Sequence, residues 1–300
     1  MNKEETFRSG FVGIAGRPNV GKSTLLNSLV GEKLAIISNK PQTTRNRIQG
    51  VLTKPRYQAI FLDTPGIHRP RHKLGELMVK AARSAVADAD ITLFLVSAAD
   101  SLTDEDKYVL DGLKRLKNLF LVINKIDAAA KPVILEIIAQ ANEIVTFAQN
   151  IPVSALKSDN LEALLTEIER SLPEGPKFFP DDYITDQPER FIAAEIIREK
   201  ALNNLRDEVP HGAAAEIIMM KKRDGLELFD IEATIYCEKD SHKGIVIGKN
   251  GAMLKLIGAE ARRDIERFLG APVNLQLWVK VKKDWRDNQA MAKSLMENIL

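Results

Sequence analysis

The run Gly16-Arg17-Pro18-Asn19-Val20-Gly21-Lys22-Ser23 combines the residue types that hold phosphate. Its glycines let backbone N–H groups turn inward, its lysine can reach β- and γ-phosphates, and its serine hydroxyl suits Mg2+. Farther along stand Asp63-Thr64-Pro65-Gly66, Asn124-Lys125-Ile126-Asp127 and Ser154-Ala155-Leu156. Asp63 is placed to hold Mg2+ through water, and the N–H of Gly66 can sense a γ-phosphate. Asp127 can accept from guanine N1–H and the exocyclic N2–H2, donors that adenine does not present in that arrangement. Asn124 can bridge the base edge and the phosphate loop, the Lys125 stem can cover the ring, and the Ala155 N–H can donate to guanine O6. A phosphate loop alone is a moderate signal, because a tight turn can contain an incidental Gly-Lys-Ser. The four motifs in this order specify GTP and GDP with Mg2+.

Hydrolysis needs a positioned water and a charge on the transferring phosphoryl group. After Asp-Thr-Pro-Gly, where Ras-like GTPases carry a glutamine, this chain has Ile67, which joins the nucleotide-binding set by position but cannot orient water. Asn19, in the phosphate loop, and the segment Gln42-Thr43-Thr44-Arg45-Asn46 offer a substitute. The pairing resembles potassium-assisted GTPases of the translation-factor-related class, in which the asparagine helps hold a monovalent cation where an arginine finger would stand. The catalytic set is therefore Lys22, Asn19, Thr44 and Gly66, with K+ as a further cofactor. The Mg2+ set is Ser23, Asp63 and one of the two threonines, Thr44 ahead of Thr43. Asn19 can also be read simply as a turn-former between Pro18 and Val20.

These residues must sit at strand ends. Phe11-Val12-Gly13-Ile14 reads as a buried strand entering the phosphate loop, and Leu25, Leu26 and Leu29 mark a helix stopped by Gly31, whose positive end faces the phosphates. Tyr57 to Leu62 and Leu119 to Ile123 are apolar strands ending on Asp63 and Asn124. Helical periods over 74–89, 104–116 and 161–171 alternate with them, as a mostly parallel α/β sheet with crossover helices requires. The sequence predicts a P-loop domain over 1–172, a Pro-rich semi-stiff linker over 173–188, and a second, smaller α+β domain over 189–300.

In the second domain the pattern reads α-β-β-α-α-β. A helical stripe of Phe191, Ile192, Ile196, Ile197 and Leu202 precedes two strand-like runs across a turn with Asp224-Gly225. Ile247-Gly248-Lys249-Asn250-Gly251 then lies between two helices, ahead of the alternating strand Val273 to Val281. This order identifies a KH module of the prokaryotic type (type II), whose Gly-x-x-Gly loop clamps about four nucleotides of single-stranded RNA. A lone Gly-x-x-Gly would carry no weight; the surrounding elements do. Lys282 and Lys283 join the loop as RNA-binding candidates. Trp278 alternates with Lys280 and Lys282, and Trp285 either stacks on a base or packs.

Charge does not advertise this domain. Residues 186–300 hold 19 Lys plus Arg against 19 Asp plus Glu, so attraction to RNA must come from local patches. The single cysteine, Cys237, lies in a strand-like run and reads as a core residue. No stretch approaches the roughly 20 apolar residues of a membrane span, and the polar start lacks a signal-peptide core, so a cytoplasmic monomer is expected.

The phosphate loop, the Pro41-Gln42-Thr43-Thr44-Arg45 segment, Arg198-Glu199-Lys200 to Glu208-Val209-Pro210-His211, the Gly-x-x-Gly loop and Val281-Lys282-Lys283-Asp284-Trp285-Arg286 together resemble the bacterial Era family, a TrmE-Era-EngA-related GTPase class with a C-terminal KH domain. The resemblance covers essentially the whole chain. It implies a GTPase that binds the 3′ end of 16S ribosomal RNA, acts in 30S subunit assembly, and attaches peripherally to the inner face of the membrane. The residues themselves give the membrane part no support, lacking a lipidation site or a strongly basic amphipathic helix. The alternatives are a potassium-assisted GTPase acting on another RNA such as tRNA, for which a KH module is not expected, or a GTP switch linked to the cell cycle at the membrane.

Overall fold

The computed structural model describes residues 6–38, 40, 43–67 and 73–297. Pro41 and Gln42 of the expected switch segment lie outside the described residues. The described chain divides into two units, one of 6–35, 44–67 and 78–186, the other of 36–38, 40, 43, 73–77 and 187–297.

In the first unit, β3 (Tyr57–Asp63), β4 (Ile91–Ser97) and β5 (Leu119–Asn124) are buried along their whole length. Strands apolar on both faces need helices on both sides. These strands join β1 (Arg8–Ala15), β2 (Ile48–Thr53) and β6 (Gln149–Pro152) in the order β2-β3-β1-β4-β5-β6. Only β2 runs antiparallel to its neighbour. Helices α1 (Lys22–Val30), α2 (Lys73–Ala87, in this unit from Met78 onward), α3 (Asp104–Leu113) and α4 (Lys131–Ile144) connect successive strands, and α5 (Leu161–Ser171) follows β6. Parallel pairing places the carboxyl ends of β1, β3, β5 and β6 on one edge, so all four nucleotide motifs open there.

The stretch read from sequence as a linker behaves differently. Through Asp186 it belongs to the first unit, because local polar groups hold it against the sheet. The Gln58 carbonyl oxygen accepts from the N–H groups of Phe178 and Phe179 at 2.8 and 3.0 Å, and its amide donates to the Phe179 carbonyl at 2.9 Å. Val51 N–H donates to Ile184, and Phe179 stacks on Tyr183 with ring centroids 4.5 Å apart.

The second unit shows the expected order: α6 (Glu189–Asn204), β7 (Ala214–Lys222), β8 (Phe229–Cys237), α7 (Asp240–Ile247), α8 (Ala252–Leu269) and β9 (Val273–Val281), extended by α9 (Gln289–Glu297). Its sheet runs β7-β8-β9, antiparallel then parallel. Cys237 is buried in it, as expected. Trp285 packs, only 1% exposed, its indole N–H donating to Gly212 at 3.0 Å.

Ile37 and Thr43 bond within this second unit. Ile37 N–H donates to Glu199 at 3.1 Å, and the buried Arg198 donates to the Thr43 carbonyl and to both carboxylate oxygens of Glu195. Among the described residues no helix is long and apolar enough to cross a membrane.

Candidate nucleotide site and nucleic-acid loop

The phosphate loop leaves β1 at Ala15 and enters α1 at Lys22. The buried Lys22 ammonium donates to the carbonyls of Gly16 and Arg17 at 3.1 and 2.9 Å, the contacts a lysine makes when curled back over a loop built for phosphate. Burial pushes its pKa down to about 8, against the attraction of Asp63. A phosphate anion would restore the charged form.

Arg17 anchors the loop. Its guanidinium donates to both oxygens of Asp106 at 3.1 Å and to Asp100 at 2.5 Å. Asp106 is itself fixed by a capping box with Thr103 at the start of α3. Asn19 is exposed, with φ of 65°, and its carbonyl accepts from the Lys125 ammonium at 2.6 Å.

The metal set converges. Ser23 Oγ lies 2.8 Å from Thr44 Oγ1 and donates to Asp63 Oδ2 at 2.8 Å, with Thr44 Oγ1 3.5 Å from the same oxygen. Thr43 instead donates to the Lys40 and Ser38 carbonyls at 2.5 and 3.3 Å. Asp63 is fully buried and, among the described residues, its Oδ1 meets no hydrogen-bond partner. Burial pushes its pKa up to about 6, although the Lys22 charge and the Ser23 hydroxyl pull the other way. Two hydroxyls around a buried carboxylate with an unpartnered oxygen form a hard-cation donor set, and the residues fit Mg2+.

At Gly66 any side-chain carbon would lie 2.8 Å from Pro18, so only glycine lets the chain pass this close to the phosphate loop. Thr64 fastens the approach by donating to the Ile14 carbonyl at 2.8 Å, and Pro65 is buried beside it. Ile67 is 3% exposed in an apolar cluster with Val79, Val86 and Phe94. It reaches the site through its backbone alone, donating to Gly16 at 3.2 Å.

On the base side the buried Asn124 amide ties three loops. It donates to the Val20 carbonyl at 2.9 Å and accepts from Lys125 N–H at 2.8 Å and Ala155 N–H at 3.0 Å. The Ala155 donor expected for guanine O6 is thus engaged by Asn124 here. Asp127 is exposed and accepts from Ser154 Oγ at 2.5 Å. Ile126 packs against the apolar cluster, while Leu156 is exposed. Sequence reading missed Asn27, whose amide pins Leu34 and Ala35, and Ser28, which donates to the Ala155 carbonyl at 2.8 Å.

The second candidate site is the turn between α7 and α8. Gly248 has φ of 73°, and a side chain there would lie within 2.9 Å of Met253. Lys249 and Asn250 are exposed, Asn250 with φ of 52°, and Ile247 is half-buried. Lys282 lies toward the other end of α7 from this loop. Lys282 N–H bonds Cys237, near the start of α7, and the eight-residue helix separates the two by about 12 Å.

Fold and site define a P-loop GTPase that carries a KH module. A family model described as 50S ribosome-binding GTPase matches residues 11–125, and a KH domain model matches residues 208–286. GTPase Era of Alkaliphilus metalliredigens is 53% identical over 97% of this chain and 99% of its own length. That of Clostridium kluyveri is 55% identical over 96% of this chain and 98% of its own. A crystal structure of Era with MgGDPNP and nucleotides 1506–1542 of 16S ribosomal RNA matches with a TM-score of 0.93, at 42% identity over 98% of this chain and 100% of that one. An Aquifex aeolicus Era variant bound to GDP and AlF4− matches over the same shares at 42% identity, with a TM-score of 0.91. The chain belongs to the Era family of GTPases.

Proposed function

We propose that this chain is a GTP-hydrolysing switch that binds the 3′ end of 16S ribosomal RNA during assembly of the 30S subunit. The observation that carries the reading is the near-full-length likeness to Era bound to that RNA, together with a complete set of nucleotide motifs on one sheet edge. In this reading the loop from Gly16 to Ser23 cradles the phosphates, and Lys22 turns from its loop carbonyls to the β- and γ-phosphates. Ser23 and Thr44 ligate Mg2+, and Asp63 holds it through water. Mg2+ supplies charge neutralisation on the phosphates.

Gly66 N–H senses the γ-phosphate. Asp127 reads the guanine, positioned by Ser154, and Asn124 releases the Ala155 donor to O6. Ile67 is apolar and cannot orient water; Asn19 would help hold K+, which would supply the charge on the transferring phosphoryl group. The loop from Ile247 to Gly251 clamps the RNA backbone. Attachment to the inner membrane face rests on the family resemblance alone.

Competition binding tests base choice. GTP and GDP should displace labelled GDP, ATP should not, and Asp127→Asn should shift preference toward xanthine nucleotides. Equal competition by ATP and GTP would overturn the reading.

A further inference from the structure

The three-stranded sheet of the second unit has a face turned away from its helices. On β9, Leu277 points toward α8, where a side-chain carbon on Gly258 would lie 3.3 Å from its Cδ1, and Val273 and Val279 are buried. Alternation therefore turns Gln276, Trp278 and Lys280 to the opposite side. β8 behaves alike: Ile231, Ala233 and Ile235 are buried, while Thr234 and Tyr236 share the side of Trp278. Thr234 lies opposite Trp278, and Tyr236 opposite Lys280. The Lys282 ammonium stands 5.5 Å from the centre of the Tyr236 ring, whose hydroxyl donates to Glu216 on β7 at 2.8 Å.

Trp278 is 43% exposed. Its register neighbours are polar: Thr234 across the strand pair, and Gln276 and Lys280 along β9. Thr234 is buried, so beside the ring the face offers the Gln276 amide and the Lys280 ammonium, while the exposed Ile218 and Met219 stand on β7, with the row of Glu232 and Thr234 on β8 between them and β9. Charge also varies along the face. Asp230, bound by Arg223 and Asn274, and Glu232 lie toward the start of β9, whereas Lys280 and Lys282 lie at its end, on the far side of Trp278. An exposed ring bordered by two cations on strand-spaced positions fits a base and its flanking phosphates.

We propose that this open sheet face is a second single-stranded RNA contact, in which a base stacks on Trp278 and Lys280 and Lys282 meet the backbone phosphates. The proposal rests on the RNA-binding reading above. It also places Lys282 in an RNA contact away from the Gly-x-x-Gly loop.

The chain contains its own reporter. It has two tryptophans, and Trp285 is buried, so a change in indole emission on adding RNA reads Trp278. The full chain is titrated with 3′-terminal ribosomal RNA oligonucleotides of about four nucleotides, enough for the loop alone, and of about twelve. The longer RNA should quench emission and protect it from iodide; the shorter should do neither. Trp278→Ala should weaken the longer RNA about tenfold (1.4 kcal/mol) and leave the shorter unchanged, with Trp278→Phe largely restoring affinity. Replacing Lys280 and Lys282 together by Gln should flatten the salt dependence by about 1.4 in log–log slope, two phosphates at about 0.7 each on a single strand. Unchanged emission and wild-type affinity of Trp278→Ala for the longer RNA would overturn the proposal. So would protection of Trp278 by a ribosomal protein and not by RNA. If the unaltered chain bound neither RNA, the RNA-binding reading itself would fail.

Discussion

Asp63→Asn should stabilise this protein while destroying its metal site. The Asp63 carboxyl is fully buried and its pKa stands at about 6 instead of the usual value near 3.8. A raised carboxyl pKa means the folded chain holds the proton more tightly than the unfolded one. The associated stability is present below about pH 4 and is lost as pH rises through 6. Roughly two units at 1.36 kcal/mol each give about 3 kcal/mol against the metal-free fold at pH 7.

Asparagine keeps the shape and removes the charge. Two effects trim the gain: the Ser23 hydroxyl bond at 2.8 Å loses its charge assistance, and Lys22 loses a counter-charge. A net gain of about 2 kcal/mol at pH 7 remains. Urea unfolding in EDTA without nucleotide, at pH 7 and 4.5, measures it. The variant should lead at pH 7 and match the parent at 4.5, and adding MgGTP should stabilise only the parent. A variant less stable than the parent at pH 7, or a difference that ignores pH, would refute the reasoning.

Four other outcomes are expected. Hydrolysis should run faster in K+ than in Na+ at equal ionic strength, with Asn19→Ala erasing the difference; equal turnover in the two salts would leave Asn19 as a turn residue. Thr44→Ala should weaken GTP about tenfold, near 1.4 kcal/mol, and GDP far less, because in the proposed reading that hydroxyl ligates Mg2+ in the GTP state. Thr43→Ala should spare GTP affinity, since its hydroxyl serves the Ser38 and Lys40 carbonyls; equilibrium titration with fluorescent analogues separates the two. Replacing Lys249 and Asn250 together by Asp should cut affinity for a 3′-terminal ribosomal RNA oligonucleotide at least tenfold, about 1.4 kcal/mol, with the fold intact by circular dichroism.

The nucleotide motifs were legible because contiguous residues must meet the same phosphate or base, so their spacing is written along the chain. The α-β-β-α-α-β order was legible from periodicity, and the helices read at 74–89, 104–116 and 161–171 appear as α2, α3 and α5 with ends moved by a few residues. What stayed hidden were pairings across long separations. Arg17 is claimed by Asp106, and Gln58 by Phe179, which turns an expected linker into part of the first unit. Ile67 looked like a member of the nucleotide set until the apolar cluster took its side chain. The fate of Trp285 likewise depended on Gly212, far behind it in the chain. No local pattern encodes such partners.

The Asn124 amide has one more consequence. By holding Val20 and Lys125 together, and Ala155 until the base takes that donor, it ties the phosphate grip to the guanine side. GTP then behaves as a bivalent ligand, its base and its triphosphate each raising the effective concentration of the other at a site of matching span. Guanosine or tripolyphosphate alone captures none of that advantage. Loosening Asn124 would forfeit much of it beyond the loss of its own contact to the base edge, for the same reason that a linker of the wrong length ruins a tandem binder.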